Sequence, residues 1–231
     1  MEEWEIVGSE GCRECDVEDL EVMCKNANFR LMSLNAQSLN EMKKERVKLL
    51  MKDSKTEMDV LCFQEVWGTN NVTGNEGYHK PIAKTRDSEE KPDAKCGGGV
   101  AIYVKGNLKR FEQVNPRGGF VKGIYESAWV DLTTKSGIKK IIGSVYRPPG
   151  GRKEQIEQAV TIHEEMLQKM RKKYKGHQLI VVGDFNLDML RLLEGEQGRE
   201  EEGTHAASVM ETRRLLEIST KENIISTVTQ Q

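Results

Sequence analysis

No stretch of this 231-residue chain is long or apolar enough to span a bilayer. Its longest hydrophobic runs, such as Leu179 to Val182, fall far short of the roughly 20 residues required. A secretory start is missing as well: Met1-Glu2-Glu3-Trp4-Glu5 is acidic, the opposite of a signal-peptide n-region. The five cysteines (Cys12, Cys15, Cys24, Cys62 and Cys96) are odd in number, which argues against a disulfide framework and for reduced thiols in an intracellular, unsecreted protein. Net charge is nearly absent too. Lys and Arg total 35 against 37 Asp and Glu, leaving -2, and this neither proves nor excludes a nucleic-acid partner, because local basic patches set phosphate binding. No internal repeat is visible. Histidine is scarce, with His163 inside a helical stretch, His177 before a strand, and His79 and His205 in loops.

What is present suits one soluble globular domain. Hydrophobic residues make up 37% and charged residues 31%, and the length allows one sizeable core. Residues 1–28 are acidic and lack a clear period, so they read as a lead segment or linker. There Cys12 and Cys15 form a C-x-x-C pair near Cys24, but a structural zinc site wants four ligands, and no histidine or fourth cysteine lies close by. The domain is expected over 29–231. It opens with a strand at Phe29–Leu34, a charged helix over Asn40–Lys55 with Val47, Leu50 and Met51 on one face, and a short buried strand at Asp59–Phe63.

Strands dominate the middle of the chain. Val100–Val104 follows a glycine triplet, Gly97 to Gly99, while Ser127–Leu132 alternates and Lys140–Tyr146 is β-branched and apolar. These succeed one another without room for crossover helices, which suggests antiparallel hairpins, with a turn at Thr134-Lys135-Ser136-Gly137. Lys84–Lys95 reads as a solvated loop. An amphipathic helix is expected over Lys153–Lys175, with Ile156, Val160, Leu167, Met170 and Tyr174 on its apolar side. It leads to a buried strand at Gln178–Val182. Glu194–Gly203 reads as an exposed loop and Ser208–Glu222 as a helix candidate. The fold class is therefore α/β in the broad α+β sense: a mixed, largely antiparallel sheet system covered by helices.

Polar groups sit just after several of these strands: Asn35, Glu65, Tyr146 with Arg147, and Asp184 with Asn186. Side chains leaving the ends of neighbouring strands converge on one sheet edge, where a rigid scaffold holds them. Taken singly, each has an ordinary explanation. Asn and Asp form turns, and proline after Tyr-Arg ends a strand. Their joint occurrence in this order is harder to explain as punctuation.

The order resembles the endonuclease/exonuclease/phosphatase superfamily, and more closely the endonuclease domains of non-LTR retrotransposons. The matching stretches are Ser33-Leu34-Asn35-Ala36-Gln37-Ser38-Leu39, Asp59 through Trp67, Gly97 through Val104, Val145-Tyr146-Arg147-Pro148-Pro149 and Val182-Gly183-Asp184-Phe185-Asn186-Leu187-Asp188. The resemblance implies a two-sheet, DNase I-like sandwich and a DNA endonuclease that works with Mg²⁺, or Mn²⁺, and acts in the nucleus if its target is genomic DNA. It implies Glu65 as chief metal ligand with Asn35 beside it, and Asp184 handling the attacking water. It also implies Asn186 and Tyr146 on the phosphate, with Arg147 adding a charge-assisted bond. Asp184 and Asn186 share one face if that segment is an extended strand. Lys105, Lys109, Arg110, Arg152 and Lys153 are candidate contacts to a duplex DNA backbone, and Trp67 is placed either to stack near a base or to line the core or rim.

One departure stands out. The family's closing Ser-Asp-His motif does not occur in these 231 residues, and its spacing would place it beyond Gln231. The expectation is a sheet lacking its last strands and a site lacking its histidine. Two other readings of such a chain are a catalytically dead binding module and a lipid or inositol phosphatase on the same fold.

Overall fold

The computed structural model describes residues 21, 24, 25, 27–86, 97–108, 110–186 and 225–228. Two sheets carry the chain. In the first, β1 (Leu31–Asn35) runs parallel to β2 (Val60–Gln64), and β4 (Val100–Val104) pairs antiparallel with β2 and with β3 (Ile82–Lys84). In the second, β5 (Arg110–Val114), β7 (Tyr125–Thr133) and β8 (Lys139–Tyr146) are antiparallel, while β9 (Gln178–Asp184) is parallel to β8 and β10 (Ile225–Val228) is parallel to β9. The two-residue β6 (Phe120–Val121) pairs with β7.

The layering follows from alternation. In β2, Val60 and Cys62 face the opposite sheet, where they meet Ala128, Val130, Ile142, Ile180 and Val182. The intervening Leu61 and Phe63 face outward and are covered by Ala36, Leu39 and Val47. Both faces of β2 are therefore dry, and an unbroken apolar run is what such a strand requires. Outside the first sheet lies α1 (Glu41–Asp53), capped where the Asn40 side chain accepts the Lys43 N–H at 3.0 Å. Outside the second lies α2 (Lys153–Lys173), whose Ile156, Val160, Met166, Leu167 and Met170 pack on Tyr125, Trp129, Ile141, Val145 and Val181. The result is two mixed sheets flanked by helices, as the fold class anticipates.

The hairpin expectation holds for β7 and β8, whose connection closes with the Thr134 N–H on Ile138 O at 2.9 Å. It does not hold between β4 and β7, because β4 joins the first sheet, where it lies between β2 and β3. The Cys12–Cys15 pair, most of the Lys84–Lys95 loop, Lys109, His205 and the 194–203 and 208–222 segments lie outside the described residues.

Candidate active site

β1 and β2 of one sheet and β8 and β9 of the other end side by side, and their final residues supply the cluster. Asn35 closes β1, Glu65 follows β2, Tyr146 closes β8 and Asp184 closes β9. Parallel pairing of β8 with β9 sets Tyr146 opposite Asp184. One glycine makes this register possible. A Cβ on Gly183, opposite Val145, would stand 1.9 Å from the Val145 carbonyl oxygen, closer than any side chain tolerates. The glycine of Gly183-Asp184-Phe185-Asn186 is thus a packing requirement that delivers the aspartate.

Asn35 is the hub. Its Nδ2 donates to Glu65 Oε1 at 2.9 Å and to Asp184 Oδ2 at 2.7 Å, and its Oδ1 accepts the Gln37 N–H at 3.1 Å. Two carboxylate acceptors leave the amide no other orientation. The ordinary turn-forming role and the site role therefore coexist in one side chain. Asp184 does the same, since its Oδ1 accepts the Asn186 N–H at 2.8 Å while Oδ2 faces Asn35. Glu65 also receives the Trp67 Nε1–H on Oε2 at 3.0 Å. The Tyr146 hydroxyl lies near the same carboxylate. Burial first, and then the Glu65 charge, hold that hydroxyl well above its ordinary pKa, so it remains a proton donor across the physiological range. Two carboxylates bridged by one amide concentrate negative charge at this sheet edge, and a cation placed beside them would offset it.

The backbone here is held in costly conformations. Glu65 (φ +52°), Trp67 (φ +61°) and Asn186 (φ +49°) are left-handed without being glycine, as are Gln37 and Ser38. Carbonyl and amide groups over-determine them. Ser38 N–H donates to Glu65 O at 2.7 Å, and Trp67 N–H donates to Gly98 O at 2.9 Å within the glycine triplet. Gly99 is itself left-handed at φ +84°, and a Cβ there would press on Val66 and the Lys84 carbonyl.

Several anticipated contacts are arranged otherwise. Asn186 lies beyond the end of β9 in a left-handed turn, so the shared-face argument from an extended strand does not apply. Its Nδ2 donates to Arg147 O at 2.7 Å. Arg147 is buried, and its Nε, Nη1 and Nη2 donate to the carbonyls of Phe185, Gly150 and Asn186. It clamps the 184–186 turn to the loop after β8 and aims no donor outward through those three bonds. Lys105 pairs with Glu57, and its N–H donates to Asp59 O, which puts it at the start of β2, the end of the sheet away from Glu65. Arg152 stands exposed at the head of α2, where its N–H donates to Gln155 Oε1 at 2.9 Å. Among the described residues, no hydrogen bond or ion pair links its side chain to the cluster.

A second cation stands at Tyr146, and sequence reading passes over it. Arg86 lies over the Tyr146 ring, 5.9 Å from its centroid, and packs against Gly98. It is held by Glu126, which is fully buried and also takes the Gly99 N–H at 2.6 Å and the Gly123 N–H at 3.2 Å. The only hint in the sequence is an acidic residue on an otherwise dry strand.

No described histidine stands at the cluster. His79 stacks on Phe111 at the far end of the first sheet, and His177 faces Asp131 before β9 begins. His163 is buried in α2 behind Phe185. Nor do three or more His, Cys, Asp or Glu gather into a metal-holding group among the described residues. The donor set nonetheless suits a hard divalent ion, since Mg²⁺ takes one or two protein carboxylates and keeps its waters.

Two stacked sheets between helices, with a bridged carboxylate pair where the strand ends of both sheets meet, define a DNase I-like sandwich. The profile of the Endonuclease/Exonuclease/phosphatase family matches residues 32–193, and the chain belongs to that family. The human Nocturnin catalytic domain is similar in structure, with a TM-score of 0.52 and 19% identity over 73% of this chain and 69% of that one. A humanized D. rerio TDP2 is comparable, with a TM-score of 0.52 and 15% identity over 73% of this chain and 67% of that one. No curated protein sequence matches the chain. Among the described residues, no helix is long and apolar enough to cross a membrane.

Proposed function

We propose that the chain is a metal-dependent phosphodiesterase domain, the DNA-nicking endonuclease of a mobile element. The observation that carries this reading is the Asn35 amide bridging Glu65 and Asp184, with Tyr146 set opposite Asp184 by strand register. The glycine triplet and the Tyr146-Arg147-Pro148-Pro149 step support the mobile-element branch over a lipid or inositol phosphatase.

In this reading Glu65 holds Mg²⁺ or Mn²⁺, with Asn35 beside it. The bound ion neutralises charge that builds on the phosphate during in-line attack. Asp184, held through Oδ1 by the Asn186 N–H and through Oδ2 by the Asn35 amide, orients the attacking water on a remaining lone pair and takes its proton. Tyr146 stays protonated and donates to a non-bridging phosphate oxygen. Arg86, held by Glu126, supplies the positive charge on the Tyr146 side. Arg147 and Asn186 fix the turn that carries Asp184. The duplex is gripped through its backbone, so binding weakens with salt.

Nicking of supercoiled plasmid in Mg²⁺ is expected, abolished by EDTA and by Glu65→Ala or Asp184→Ala. Nicking that survives Glu65→Ala refutes the assignment. DNA retention without any cleavage points to a binding module instead.

A further inference from the structure

Two described tryptophans show two kinds of placement. Trp129 is fully buried in β7 and satisfies its Nε1–H on Ser127 Oγ at 2.8 Å, as a structural indole does. Trp67 is 39% exposed. It follows Glu65 on a strained left-handed turn, tied down by its N–H on Gly98 O at 2.9 Å and by the Val66 N–H on Gly99 O at 3.3 Å. Its polar edge is engaged as well: Nε1–H donates to Glu65 Oε2 at 3.0 Å, and Gly97 lies beneath that edge. A large aromatic surface is thus left in water at a fixed distance from the carboxylate that anchors the site. The strain and exposure bring no gain in packing, whereas a flat partner arriving at the site recovers the apolar contact.

We propose that Trp67 is a specificity-determining residue whose exposed ring stacks on the nucleobase adjoining the phosphodiester held at Glu65, Asp184 and Tyr146. The substrate class is then a nucleic-acid strand whose base beside the held phosphate is unpaired or turned out of the duplex, in place of a lipid or inositol phosphate, which offers no base. The inference rests on the phosphodiesterase reading and deepens it. Stacking of this kind tolerates any base, so Trp67 selects for the presence of a base and not for its identity.

The test compares a short single-stranded DNA oligonucleotide with a tetrahydrofuran oligomer of equal length, which has the same phosphodiesters and no bases. Both are titrated in Mg²⁺ onto the full chain carrying Trp4→Phe, so that Trp67 is the exposed emitter, and Asp184→Asn, so that nothing is turned over. The DNA oligomer quenches Trp67 emission and the base-free oligomer does not. Trp67→Ala weakens DNA binding on the order of 10- to 100-fold and leaves the base-free oligomer within about twofold. Trp67→Phe keeps most of the preference for bases, because it retains a ring. Equal loss on both oligomers, or none on either, overturns the inference. The nuclease reading fails separately. If the chain without Asp184→Asn cleaves nothing while the base preference holds, stacking stands and the catalytic assignment falls. If it cleaves DNA while Trp67→Ala binds both oligomers as before, the reverse follows.

Discussion

Acid destabilises this fold through His163, and the size of the effect follows from its surroundings. The imidazole is buried in α2, bonded through Nδ1 to the Tyr125 hydroxyl at 2.9 Å and edge-on to Phe185 at 4.9 Å. Tyr125 is itself held neutral by burial, and neither partner stabilises an imidazolium. Burial lowers the His163 pKa from 6.5 to about 3. A base whose folded pKa is depressed is charged more readily in the unfolded chain. Between pH 6.5 and about 3 the unfolded state therefore binds the extra proton, and stability falls as pH falls through that window. From pH 7 to pH 4.5 this one group removes roughly 3 kcal/mol. Urea unfolding at the two pH values measures the change, with His163→Asn as reference, since its amide keeps a hydrogen bond to Tyr125 and does not titrate. Wild type should lose roughly 3 kcal/mol more than the variant over that interval. Parallel losses would show that His163 is not buried as described.

Other expectations concern the site's framework. Gly183→Ala drives a Cβ into the Val145 carbonyl and breaks the pairing that sets Tyr146 opposite Asp184. A loss above about 4 kcal/mol is expected, and an unchanged Tm would contradict it. Arg147→Lys loses the planar fork that reaches the carbonyls of Phe185, Gly150 and Asn186, so thermal unfolding should show a loss of roughly 3 kcal/mol despite the conserved charge. Asn35→Ala removes the bridge between the carboxylates and should weaken Mg²⁺ binding about 10- to 100-fold, measured by calorimetry. Lys105→Ala, at the other end of the sheet, should leave nicking and its salt dependence unchanged.

The strands that place the site announce themselves in sequence because both of their faces are dry. β2 and β9 are near-continuous apolar runs, and α2 shows its buried stripe at helical spacing. β3 and β5 do not, since one is three residues long and the other, Arg-Phe-Glu-Gln-Val, is a polar strand whose place only pairing with β7 reveals. The positions of Asn35, Glu65, Tyr146 and Asp184 were legible as polar residues following strands. Their hydrogen bonds were not. Asn186 belongs to a turn because its φ is positive, and Arg147 turns inward because backbone carbonyls, invisible to residue patterns, surround it. Arg86 and Glu126 lie 40 residues apart, and only the face-to-face packing of the sheets joins them.

The central claim is that Glu65 and Asp184, joined by Asn35, form one divalent-metal site that cleaves phosphodiesters. Titrating Mn²⁺ into the chain by calorimetry, alongside hydrolysis measured at each metal concentration, tests it most directly. A single ion is expected, its binding curve superimposing on the activity curve and both being lost in Glu65→Ala. Unaltered Mn²⁺ binding in that variant, or hydrolysis independent of the ion, would contradict it.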